Sequence, residues 1–101
     1  MIRYGDPVVE ELIFERLKAR VEPRDEQWVD VEISFALADG KQPEDVEDLS
    51  ALIICTRRGD VVQIVPQDEG RDCEFQFTEG EKEQLRRFFD EQVRGQFPLL
   101  G

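Results

Sequence analysis

A strictly alternating segment in the first half of the chain constrains the fold more than any other feature. Between Gln27 and Leu37 every second residue is apolar, in the order Val29, Val31, Ile33, Phe35 and Leu37. Successive side chains of a β-strand point to opposite faces of its sheet, whereas a helix repeats about every 3.6 residues. The segment therefore predicts a strand with one face in the core, while the other face carries Trp28, Asp30 and Glu32 toward water.

Three shorter apolar runs follow and predict further strands. They cover Leu49–Thr56, Val61–Val65 and Cys73–Phe77, and polar turns separate them. Gly59 stands in the first turn and Gly70 in the second, where a glycine supplies the positive φ that tight hairpins need. Strands joined by short turns pair with their sequence neighbours, so these runs predict a four-stranded antiparallel meander.

The region before the alternating segment predicts a helix over residues 7–21. Asp6 can accept a backbone N–H as an N-cap, and Pro7 suits the first helical position because its missing donor is not needed there. Apolar residues then recur at helical spacing, namely Val9, Leu12, Ile13, Leu17 and Val21. A strand through the last three of these is the alternative, and it leaves the cap unexplained.

The region after the last run predicts a second helix, over residues 78–94. Thr78 and Glu81 have the T-x-x-E spacing of a capping box, in which each side chain satisfies the other's backbone N–H. The apolar face consists of Leu85, Phe88, Phe89 and Val93. Gly95 is placed to end the helix. We expect the two phenylalanines of this face to pack with Phe75 and Phe77 in the core.

Together these elements predict an α+β fold in the order α-β-β-β-β-α. The N-terminal and C-terminal helices would cover one face of the meander, which makes a two-layer sandwich. With 101 residues the chain has the length of a single domain, so we expect one core over residues 1–101. Residues 95–101 add an apolar C-terminal tail.

The charge balance restricts the class of partner. The chain has 24 acidic and 13 basic residues, so its net charge is −11. A field of this sign repels nucleic-acid phosphates and anionic lipid surfaces, and it favours a basic protein as partner. We therefore expect neither nucleic-acid nor membrane binding. No apolar run approaches the ~20 residues of a membrane span, and the N-terminus lacks a signal-peptide pattern, so we expect a cytoplasmic protein.

The residue types that are absent restrict the chemistry. There is no histidine, which removes the imidazole base of a catalytic triad and the imidazole ligands of a metal site. The two cysteines, Cys55 and Cys73, are too few for a four-cysteine zinc site, and we expect both to be free thiols. No spacing isolates a catalytic pair of carboxylates, so the sequence predicts a non-enzymatic protein without a cofactor.

The acidic loop Glu44–Asp48 supports an alternative hypothesis. Its carboxylates could hold a divalent cation through oxygen ligands, which would make the chain a small metal-binding or metal-delivery module. The loop lacks the alternating aspartates and the central glycine of an EF-hand, so we expect a solvated connection rather than a dedicated metal site.

The face of the sheet that points away from the helices is the predicted interaction surface. The residues that we expect to contact a partner are Trp28, Asp30, Glu32, Val61, Gln63, Val65 and Glu74. The run Leu49–Thr56 is apolar on both faces, so an apolar strip edged by acids would lie open. Soluble monomers rarely leave a large apolar patch bare.

This strip has more than one candidate cover. The C-terminal tail Phe97–Leu100 could fold over it, a second copy of the chain could pack on it as a homodimer, or a different protein could bind there. Each cover would leave Trp28 partly buried. The leading hypothesis is a non-enzymatic, acidic protein-interaction domain that acts as an accessory or inhibitory partner of a basic protein.

Overall fold

The computed structural model describes residues 2–3, 11–38, 47–73 and 75–95. The strands are β1 (Ile2–Arg3), β2 (Phe14–Pro23), β3 (Trp28–Leu37), β4 (Leu49–Thr56), β5 (Val61–Asp68), β6 (Arg71–Asp72) and β7 (Phe75–Gln76). One α-helix, α1 (Glu79–Phe88), follows, and a π-helical turn, Phe89–Val93, continues it. The described elements therefore form an α+β fold whose helical part lies at the C-terminal end.

The strands form one antiparallel meander and one small accessory sheet. The meander has the order β2-β3-β4-β5-β6, and each strand pairs with its sequence neighbours. The accessory sheet joins β1 to β7, so the N-terminal residues Ile2 and Arg3 pair with the segment that precedes α1. The predicted antiparallel sheet and C-terminal helix are confirmed, and the strands expected at 27–37 and 49–56 are β3 and β4.

The prediction of an N-terminal helix over 7–21 is wrong for Phe14–Val21, which belong to β2. Residues 7–10, like Asp6, lie outside the described part of the chain. The buried side of β2 alternates until a bulge between Glu15 and Lys18 inserts one extra residue opposite β3. This bulge shifts the phase of the alternation by one position, and the shifted apolar residues imitate the spacing of a helix.

The prediction of one strand over 73–77 is also wrong, because the chain changes sheet within that segment. β6 pairs with the end of β5 through a two-residue turn, Glu69-Gly70, in which both residues have positive φ. β7 then pairs with β1 instead of the meander. The alternation of Cys73, Phe75 and Phe77 therefore reflects residues that leave one sheet and join another.

The helix covers one face of the meander and closes the core. Its capping box is formed as predicted, with the Thr78 hydroxyl accepting the Glu81 N–H and the Glu81 carboxylate accepting the Thr78 N–H. Fully buried residues of the core include Leu85, Phe89, Val29, Val31, Ile33, Ile53 and Cys55. Phe77 and Phe89 are buried in this core as predicted, while Phe75 and Phe88 are only partly buried and pack against it.

Two side chains of α1 form hydrogen bonds with backbone groups at the free edge of β2, where a neighbouring strand would otherwise pair. The Glu81 carboxylate accepts the Leu12 N–H at 2.7 Å. The Gln84 side chain accepts the Phe14 N–H at 2.9 Å and donates to the Leu12 carbonyl at 2.8 Å. A sheet edge presents unpaired backbone groups that invite foreign strands. Side chains of α1 thus satisfy the backbone groups at the start of β2, and these hydrogen bonds anchor the helix to the sheet.

The bulge in β2 provides a stability prediction. Arg16 has a φ of 54°, in the left-handed region, which costs an L-residue roughly 1–2 kcal/mol. Glycine adopts this conformation freely but loses more entropy on folding, by roughly 0.5–1 kcal/mol. Arg16→Gly is therefore expected to raise Tm by a few degrees in a thermal melt. Lys18→Gly, on the same strand without a positive φ, should lower Tm, and a fall in both variants would contradict the strain at Arg16.

Candidate functional site

The open face of the meander is the side opposite α1, and the strand register identifies its residues. Antiparallel partners project to the same face, so each row of paired residues shares one side. The central rows of the open face are Glu22–Asp30–Ile54–Gln63 and Arg20–Glu32–Leu52–Val65, and Trp28–Thr56 lies at one end. Trp28, Asp30, Glu32, Gln63 and Val65 therefore lie on the predicted face.

An apolar strip, defined here as Leu52, Ile54 and Val65, runs along the middle of this face. These side chains are half-buried, and none of them belongs to the core cluster beneath α1. Among the described elements, β4 makes its extensive contacts with its sheet neighbours β3 and β5. Sequence alternation could not select Leu52 and Ile54, because β4 is apolar on both sides and only its register with β3 tells which pair faces outward.

Val61 does not join this face as predicted. A bulge between Ile54 and Cys55 places Val61 opposite Cys55, and Val61 packs against the core. The extra residue turns Val62 outward, where its side chain is 58% exposed. Regular alternation back from Val65 would have kept Val61 on the open side, so the bulge explains the error. Glu74 lies outside the described residues.

Two acids of the open face, Asp30 and Glu22, are paired with cations. The Arg24 guanidinium forms a fork on Asp30, with Nε at 3.0 Å from Oδ2 and Nη2 at 2.7 Å from Oδ1. Arg20 contacts Glu22 at 3.1 Å, and this hydrogen bond raises the pKa of Arg20, with the charges of Glu22 and Glu32 adding to the effect. The two arginines therefore neutralise Glu22 and Asp30, while Glu32 interacts with Arg20 through its charge alone.

Trp28 is half-buried at the end of the face. The Asp25 carboxylate accepts the N–H groups of both Gln27 and Trp28 at 2.8 Å. These two hydrogen bonds lower the pKa of Asp25. Arg57 of the β4–β5 turn donates to the Asp25 carbonyl at 3.1 Å, so neighbouring turns hold the start of β3 in place.

Acidic residues gather at the opposite end of the sheet, where β4 begins and β5 ends. The Asp68 carboxylate accepts the N–H groups of Glu47 and Asp48, at 3.1 and 2.9 Å, and the Glu69 N–H donates to the Asp48 carbonyl. We call Glu47, Asp48, Asp68 and Glu69 the acidic cluster. Glu47 and Asp48 are the last two residues of the predicted acidic loop, and residues 44–46 of that loop lie outside the described part. Among the described residues, no group of three or more such side chains is arranged to hold a metal ion.

The acidic cluster provides a pH-dependence prediction. The proton of the Glu69 carboxyl can be donated to the Glu47 carboxylate, and this hydrogen bond raises the pKa of Glu69, with the negative charges of Glu47 and Asp68 raising it further. The folded chain therefore holds this proton more tightly than the unfolded chain, and the fold gains stability as the pH falls through the folded pKa toward 4.5.

Glu69→Gln removes the repulsion at neutral pH while it keeps the size of the side chain. We expect this variant to melt above the parent at pH 7, and the gap to close as the pH approaches 4. Glu83→Gln, on the exposed face of α1, is the control and should show no such trend. A gap for Glu69→Gln that stays constant with pH would contradict the shared proton.

The cysteines are free thiols, as predicted. Cys55 is buried and its thiol donates to the Val29 carbonyl at 3.5 Å. Burial raises the pKa of Cys55 to about 11, so little thiolate forms at neutral pH. The Cys73 thiol donates to the Pro66 carbonyl at 3.6 Å. Cys55 therefore serves as a small core residue, and Cys73 bonds to the outer edge of β5.

Comparison with known proteins adds no family to these observations. No protein-family model, no curated protein and no solved structure matches this chain. None of the helices that the structure describes has the length and apolar character needed to cross a membrane. The functional argument therefore depends on the open face, the apolar strip and the acidic cluster.

Proposed function

We propose that the chain is a non-enzymatic protein-interaction domain that acts as an accessory or inhibitory partner of a basic protein. The observation that carries this proposal is the apolar strip on the sheet face opposite α1. Leu52, Ile54 and Val65 are apolar, yet they lie outside the core and take no part in the packing beneath α1. Complete burial of such a side chain stabilises a complex by about 1.5–3 kcal/mol.

The surroundings of the strip support binding of a protein rather than of a small molecule. The strip is bordered by the Arg24–Asp30 pair on one side and by Gln63 on the other. An apolar centre with a polar rim is the usual anatomy of a protein interface. Trp28 stands at the end of the strip, and tryptophan is among the residues that dominate binding energies at interfaces.

The basic character of the partner is supported by the net charge and by the acidic cluster. The charge of −11 attracts a cationic protein at long range and raises its association rate. Because Glu22 and Asp30 are already paired, the negative charge available to a partner comes from Glu32 and from the acidic cluster at the end of β5. We expect the apolar strip to provide the binding free energy and the acidic cluster to raise the association rate.

Affinity capture with matched variants tests this proposal. The parent chain and a Leu52→Ser/Ile54→Ser double variant are used as baits in a lysate of the source cells. The control is Ile13→Ser, an aliphatic residue that is 57% exposed and lies outside the strip. We expect a protein that the parent and Ile13→Ser capture, that the double variant loses, and that raised salt releases. Equal capture by the folded double variant would contradict the proposed surface.

The alternative hypothesis of a metal-binding or metal-delivery module makes a different prediction. It requires saturable binding of Ca²⁺ or Mg²⁺ that depends on the acidic loop and its neighbouring cluster. Under our proposal, calorimetric titration of the parent with Ca²⁺ gives no saturable heat. Saturable binding that Glu47→Gln/Glu69→Gln abolishes would favour the metal module instead.

A further inference from the structure

Strand β2 forms one edge of the meander, and its pairing with β3 shows which of its backbone groups point outward. The Arg24 N–H donates to the Trp28 carbonyl at 3.0 Å, which closes the β2–β3 hairpin. In an antiparallel pair, residues that bond to the neighbouring strand alternate with residues whose backbone groups point away from it. Counted back from Arg24 along the register, the outward residues are Pro23, Val21 and Ala19.

Two observations agree with this assignment. Before the bulge, the Ile13 carbonyl accepts the Ala38 N–H, so the next residue, Phe14, points outward, and its N–H donates to Gln84 of α1. Proline has no N–H and occurs in sheets where that position faces solvent. Pro23 stands at an outward position, as this rule requires.

The later part of the β2 edge is open. Side chains of α1 bond only to its start. Among the described residues, none bonds to the outward N–H groups of Ala19 and Val21. A groove of about 700 Å³ adjoins this part of the edge, and its apolar lining includes Leu17 and Ala19 of β2 and Phe88 and Val93 of the helical region. An added strand would therefore meet both backbone partners and an apolar groove for alternate side chains.

We propose that a second copy of this chain pairs with this edge, β2 against β2, around a two-fold axis at Val21. In this antiparallel register each Val21 N–H donates to the Val21 carbonyl of the other copy, and each Ala19 N–H donates to the other copy's Pro23 carbonyl. The Ala19 carbonyl faces the ring nitrogen of that proline and remains exposed to water. The Val21 side chains meet on the side of α1, and Pro23 of the second copy lies beside the groove.

Charge complementarity favours a second copy as the occupant of this edge. Charged residues at a sheet edge usually prevent pairing with other chains. On the open face, Arg20 and Glu22 flank Val21, and the proposed register places each Arg20 opposite Glu22 of the other copy. Arg20 also contacts Glu22 of its own strand at 3.1 Å. The two copies together therefore form a ring of alternating charges instead of a repulsive edge.

Neighbouring registers bring like charges together. A shift of the two-fold axis from Val21 to Arg20 places two Arg20 side chains face to face, and a further shift of one residue places Lys18 opposite Arg20. With the axis at Val21, Lys18 instead faces Arg24, whose guanidinium Asp30 already neutralises. The charge order of β2 thus complements itself best in the register with the axis at Val21.

The proposed dimer goes beyond the proposed function and does not depend on it. A two-fold axis between antiparallel strands of one sheet is perpendicular to that sheet, so both copies keep the same face on the same side. The dimer would carry both α1 helices on one side and both apolar strips on the other. Because pairing uses the edge of β2, each strip stays open, and a partner with two binding segments could contact both strips.

Paired charge reversals test the interface. Arg20→Glu places two acids on this edge and Glu22→Arg places two bases, and both parent side chains are largely exposed, at 72% and 64%. Sedimentation equilibrium measures the mass over a range of concentrations. We expect the parent to dimerise and each single variant to dimerise at least about tenfold more weakly. An equimolar mixture of the two should restore dimers, because each acid then faces an arginine of the other chain.

Glu83→Arg, on the exposed face of α1, changes the net charge as Glu22→Arg does and should dimerise like the parent. A parent that stays monomeric at every concentration would overturn the inference, as would a mixture no more dimeric than its components. Dimers that only Leu52→Ser/Ile54→Ser disrupts would also overturn it and indicate pairing through the open face. A monomeric parent that still captures its partner through the strip would leave the proposed function standing while the dimer fails.

Discussion

Phe77→Ala is expected to leave the protein close to unfolding at room temperature. Phe77 is 3% exposed, and its ring meets Phe14 edge-on with centroids 5.8 Å apart. Removal of a buried phenylalanine costs about 3–5 kcal/mol, while domains of this size are stable by about 5–15 kcal/mol. Phe77 also connects the accessory sheet to the first turn of α1, so the cavity would separate two parts of the fold.

A thermal melt followed by circular dichroism measures this effect. Phe88→Ala is the matched control, because Phe88 lies at the margin of the same core and alanine keeps the helix propensity. We expect the Phe88 variant to lose less than half as much stability. A Phe77→Ala melt within a few degrees of the parent would show that this side chain does not support the core.

Glu81→Ala is expected to cost about as much, although it removes a polar side chain. The Glu81 carboxylate is fully buried and accepts the N–H groups of Leu12 and Thr78. Each buried donor that loses its acceptor costs about 1–3 kcal/mol. The same change removes one half of the capping box and loosens the contact between α1 and the entry to β2.

Hydrogen exchange separates this role from a loss of charge. In Glu81→Ala the amide protons of Leu12 and Thr78 should exchange much faster, and Tm should fall by many degrees. Glu83→Ala, two positions along the same helix and exposed, should change stability by no more than about 0.5 kcal/mol. Equal Tm values for Glu81→Ala and Glu83→Ala would contradict the stabilising role assigned to Glu81 at the edge of β2.

The C-terminal helix and strand β3 could be predicted because their signals are local. Thr78 and Glu81 are three positions apart, and the alternation of β3 is uninterrupted, so short windows of sequence contain the decisive information. The prediction for β2 failed because the decisive information is not local. The bulge at Arg16 shifts a two-residue period by one, and a shifted alternation cannot be told from a helical stripe without the partner strand.

The predictions at the candidate site succeeded or failed for the same reason. Alternation placed Trp28, Asp30 and Glu32 on the open face correctly, because β3 is regular over these positions. It misplaced Val61, since the bulge in β5 has no sequence signal of its own. It also could not show that Arg24 neutralises Asp30, because that ion pair depends on how the β2–β3 turn folds back over the face.

Site-specific cross-linking is the most direct test of the central claim that the open face binds a protein. A photoreactive residue replaces Gln63, which is exposed on the open face beside Ile54, and in a control chain it replaces Glu83 on the outer side of α1. We expect illumination of the source cells to join a second, basic protein to position 63 and not to position 83, and Leu52→Ser/Ile54→Ser to abolish this adduct. Adducts at position 63 that are confined to the chain itself, or equal adducts at both positions, would contradict the claim.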